Sequence, residues 1–89
     1  MFMEDFQQQL AQFPIELRKA WSVGFVFVKE ADHYWHFPAR QWEDKQIQNY
    51  FFERFNQSSS FVSYPELGLK QLVIKNRPEL LIIIPYSPE

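Results

Sequence analysis

The sequence predicts an α+β fold: a mostly antiparallel four- to five-stranded sheet with two helices on one face, in the order α-β-β-α-β-β-β. Three observations carry this expectation. Two segments space their apolar residues at helical intervals, four or five short segments alternate or are apolar on both sides, and the breaks between strands are short enough for hairpins. With 89 residues, 46% hydrophobic composition and no cysteine, the chain is expected to form a single domain over residues 1–89, without disulfides or thiolate-held metal.

Phe2, Phe6, Leu10 and Phe13 follow one another at steps of four, four and three, which places them on one helical stripe with the glutamines mostly on the wet side. Pro14 interrupts that helix and suits the first position of a second helical turn over residues 14–20. The period then changes. Trp21, Val23, Phe25 and Phe27 alternate with Ser22, Gly24, Val26 and Val28, so residues 21–29 read as a strand, apolar on both faces towards its end and therefore expected inside the sheet. Gly24 marks a bulge or a place where a neighbouring ring crosses the backbone.

A polar tip leads into residues 33–37 as the second strand of a hairpin, and Pro38 ends it. Glu43 and Asp44 complement the start of a helix over residues 41–56, whose buried stripe is Ile47, Phe51 and Phe55 with Tyr50 beside it; Phe52 lies off the stripe. A serine-rich loop follows. Residues 61–64 form a short strand ended by Pro65, and residues 71–75 and 80–84 form a final hairpin around Asn76 and Pro78, its last strand apolar on both faces. Residues 85–89 run out as a short tail. Residues 61–64 and 72–74 are the candidate sheet edges.

Aromatic residues make up 19% of the chain, with ten Phe, four Tyr and three Trp. A core of rings is implied, and rings beyond its capacity are expected at the surface or in an oligomer contact. The net charge of −2 and pI near 5.6 remove the general attraction on which nucleic-acid and anionic-membrane binders rely. The longest apolar run, residues 80–84, is far below the ~20 residues of a membrane span, and Glu4 and Asp5 stand where an export signal would be basic. A cytoplasmic protein without membrane attachment is the expectation.

No arrangement for catalysis stands out. His33 and His36 are three apart on a strand and so point to opposite faces, which argues against a shared metal or an acid–base pair. Ser58, Ser59 and Ser60 lack a glycine elbow and a nearby histidine, and two glycines in the whole chain do not build a phosphate loop. The expectation is a non-enzymatic chain with no metal and no cofactor.

The positive signal is for protein recognition. Tyr34, Trp35, His36, Arg40 and Trp42 crowd onto one strand, a corner and a helix start, and Trp, Tyr and Arg are the side chains that most often anchor interfaces. A small protein-binding domain of adaptor, inhibitor, immunity or assembly-chaperone type is expected, with that group as its partner surface. Homodimerisation is expected too, since one face of the hairpin would otherwise hold uncovered rings. The alternative is a single-stranded nucleic-acid module stacking bases on Tyr34, Trp35, Trp42 and Tyr50 with Arg40 and Arg54 nearby. Interleaved acids make nucleic acid the weaker partner.

Overall fold

The computed structural model describes residues 2–87. Helix α1 (Phe2–Leu10) turns Phe6 and Leu10 inward, and Phe13 follows them into the interior. The expected burial of Phe2 and the last two tail residues, Pro88 and Glu89, fall outside the described residues and side chains. Pro14 caps a second short helix, α2 (Ile15–Lys19), because its fixed φ suits a helix entry and it has no N–H to leave unpaired. Arg18 Nε donates to the carbonyl of Phe13 at 3.1 Å and ties this helix back to the chain before it.

The first strand, β1 (Phe25–Glu30), pairs antiparallel with β2 (His33–Pro38) from Phe25 opposite Pro38 to Glu30 opposite His33. The expected strand from Trp21 therefore starts four residues late. Gly24, at φ +96°, forms a turn with Val23, and its carbonyl accepts the Ala39 N–H at 2.7 Å. Its missing Cβ leaves room for the Arg40 side chain, 3.1 Å from where that carbon would be, rather than for a ring.

Helix α3 (Asp44–Phe55) begins where Glu43 donates its backbone N–H to Gln46 Oε1 at 2.6 Å, and ends where Asn56 takes the left-handed conformation. Then come β3 (Ser59–Tyr64), a single 3₁₀ turn (Pro65–Leu67) closed by Gly68 at φ +64°, β4 (Leu69–Ile74) and β5 (Leu81–Pro85). In the turn between β4 and β5, hydrogen bonding from Arg77 holds the Glu79 carboxyl below its ordinary pKa.

The sheet order is β2-β1-β5-β4-β3 and every neighbouring pair is antiparallel, so the chain is an α+β protein with a five-stranded antiparallel sheet. Of the two candidate edges, residues 61–64 belong to an edge strand, whereas residues 72–74 lie inside, between β5 and β3. The central β5 is buried along its whole length.

One expectation is corrected. The helices do not share a face: α3 covers one side of the sheet and α1 the other. Ile47 and Phe51 of α3 pack with Val26, Val28, Leu72, Ile74, Ile82 and Ile84. Phe6, Leu10 and Phe13 pack with Phe27, Leu69, Leu81 and Ile83. Successive strand residues point to opposite faces, so the unbroken apolar runs in β1 and β5 supply both interiors at once. The surplus of rings that suggested an uncovered face is largely divided between these two clusters.

Candidate partner-binding edge

Strand β2 borders the sheet, and its alternation splits the expected site. Tyr34 and His36 face α1. The Tyr34 hydroxyl donates to the Gln12 carbonyl at 3.1 Å and its ring tilts against Phe13, while the exposed His36 stacks on Phe27 with ring centroids 5.4 Å apart. Trp35 faces α3, half-buried, beside Phe37 and Phe51 at 5.8 and 6.3 Å, with the Arg54 guanidinium 4.6 Å from its ring centroid. Its indole N–H is buried without an acceptor among the described residues.

Arg40 and Trp42 are brought together at the corner between β2 and α3, around a small cleft of about 180 Å³ that also touches Asp44 and Lys70. Lys70 Nζ pairs with Asp44 Oδ1 at 2.6 Å, which leaves Arg40 as the cation without a carboxylate partner at that corner among the described residues. Trp42 is 37% exposed, and its inner side rests on Phe37 and Tyr50 at 5.5 and 5.6 Å. Phe37 and Tyr50 are themselves 4.9 Å apart. A continuous set of rings therefore runs from Trp42 through Tyr50 and Phe37 to Trp35, and then through Phe51 to Phe55.

The structure thus joins Arg40, Trp42 and Trp35 along one side of the edge and leaves Tyr34 and His36 on the other. Two residues belong with the first group that the partner-surface reading did not include. Tyr50 and Arg54 stand four apart on α3, the spacing that puts side chains on one helix face, and both touch rings of β2. Phe37 shares the strand face of Trp35 and is the hub between strand and helix.

His33 and His36 lie on opposite faces of β2, as the strand period requires. Among the described residues no group of three His, Asp or Glu side chains is arranged to hold a metal ion, and no helix is long and apolar enough to cross a membrane. Comparison with known proteins gives no match to a family model, to a curated protein or to a solved structure.

Proposed function

We propose that the chain is a small, cytoplasmic, non-enzymatic protein-binding domain whose partner docks on the β2–α3 edge, with Trp42 as anchor and Arg40 beside it. One observation carries the reading: Trp42 is the most exposed member of a ring set in which Phe51 is fully buried and Trp35, Phe37, Tyr50 and Phe55 are half-buried against the core. A large, amphipathic ring already held in place loses little entropy on binding, the property of residues that dominate interface energies. No described element covers the outer side of β2, so a partner reaching Trp42 also meets an open strand edge, where main-chain pairing adds affinity. Trp35 supports the anchor from within, and Tyr34 and His36 border the surface from the opposite face.

Trp42→Ala is expected to weaken partner binding by about 2 kcal/mol or more, roughly thirtyfold, with the unfolding midpoint nearly unchanged. Titration calorimetry beside thermal unfolding checks both. If unfolding loses its cooperativity, the ring is structural and the anchor assignment fails. Affinity that falls steeply with salt would instead point to phosphate contacts and to single-stranded nucleic acid.

Self-association through the other edge is a second reading, supported by a different observation. Val62 and Val73 are 40% and 39% exposed and sit diagonally across β3 and β4, on the α1 side of the sheet beyond the reach of α1. Two copies of β3 running antiparallel would extend the sheet and set the Val62 side chains of the two copies beside each other on that face, with Val73 one strand further in. Light scattering across a dilution series should then show a dimer that Val62→Lys converts to a monomer. A wild-type monomer at every concentration rules this reading out.

A further inference from the structure

On the α1 face, an open cleft of about 710 Å³ lies where α1, residues 21–23, the 3₁₀ turn and the end of β5 converge. Its walls are mainly apolar, from Leu10, Trp21, Leu67, Leu69 and Pro85. This volume lies within the range of small-molecule sites, about 300–1,000 Å³. It adjoins the Arg40–Trp42 corner through Val23, Pro85 and Tyr86, which line both, but it opens on the α1 side of the sheet, with Leu10 and Leu69, whereas the corner opens on the α3 side, with Ile47 and Ile84.

Among the described residues lining the cleft, Arg18 carries the only charge. Its Nε is engaged by the Phe13 carbonyl, which fixes the plane of the guanidinium and leaves the two terminal nitrogens as donors. No described carboxylate forms an ion pair with it. Trp21 lines the same wall with its ring, while its indole N–H is turned away from solvent and has no acceptor among the described residues.

We propose that this cleft binds a small organic acid, an apolar or aromatic body bearing one carboxylate. The guanidinium is a planar fork matched to a carboxylate, and its single positive charge balances a single negative one. A phosphate monoester carries close to two negative charges and would bring one of them into an apolar wall unpaired. The body of the ligand rests on Trp21, Leu10 and Leu69, and its carboxylate pairs with the terminal nitrogens of the Arg18 guanidinium.

The test is an NMR titration of the full chain with hydrocinnamate and, separately, with its uncharged amide at neutral pH, following the three indole N–H resonances. Hydrocinnamate is expected to shift the Trp21 signal saturably, with the amide weaker by about tenfold, as loss of a charge-assisted hydrogen bond implies. Arg18→Met should weaken the acid by a similar factor while the Trp35 and Trp42 signals keep their native positions. Equal affinity for acid and amide, undiminished binding to Arg18→Met, or a Trp21 signal that does not move would each overturn the proposal. Should Arg18→Met fail to fold, the comparison of acid and amide on the unaltered chain decides alone.

Discussion

Phe51→Ala is expected to lower the free energy of unfolding by about 3–5 kcal/mol. The ring is fully buried on the α3 face, between Trp35, Phe37, Tyr50 and Phe55. The internal control is the next residue. Phe52 is 49% exposed, so Phe52→Ala should change stability by about 0.5 kcal/mol or less. Denaturant unfolding of both variants checks the rotation of α3, because a helix turned by one residue would exchange the two results.

Phe13→Ala should cost a similar amount, about 3–5 kcal/mol, through the other interior. Phe13 packs edge-on against Trp21 at 5.6 Å and beside Tyr34 at 5.8 Å, and it closes the α1 layer over Phe27 and Ile83. Because Phe13 and Phe51 lie on opposite faces of the sheet, their contributions should be independent. Milder substitutions make this measurable: Phe13→Leu and Phe51→Leu at about 1 kcal/mol each should add within about 0.5 kcal/mol in the double variant. A double variant no less stable than the worse single one would mean a single shared cluster, contrary to the two-sided packing.

The strands and helices were largely legible because their periods are clean. Ile47, Phe51 and Phe55 recur at intervals of four, and the last hairpin is bounded by Asn76 and Pro78. The placement of the helices was less so. Val26, Phe27 and Val28 are all apolar, as are Leu81 to Ile84, and such runs say that both faces are covered without saying by what. A second copy of the chain and a second helical layer satisfy that pattern equally, and the structure uses α1 and Phe13. The start of β1 was misread because the alternation of Trp21 and Val23 continues into a true strand, while a carbonyl contact from Gly24 to Ala39 ends the ladder there.

The expected site was legible in composition but not in direction. Tyr34 to Trp42 is dense in anchoring side chains, yet the two-residue period of β2 sends Tyr34 and His36 to one face and Trp35 to the other. Tyr50 and Arg54, which the sequence groups with these rings only under the nucleic-acid alternative, enter the same surface from α3 by packing on Phe37 and Trp35. The Arg18 cleft was not legible at all, since Arg18 and Trp21 meet Leu67 and Pro85 across most of the chain.

The central claim is that Trp42, with Arg40, anchors a protein partner on the β2–α3 edge. Its most direct test is capture from an extract of the source cells with equal amounts of immobilised wild type, Trp42→Ala and Phe52→Ala, quantified protein by protein. The account predicts a partner retained by wild type and by Phe52→Ala and lost with Trp42→Ala. A partner held equally by all three, or lost with Phe52→Ala and kept by Trp42→Ala, would contradict it.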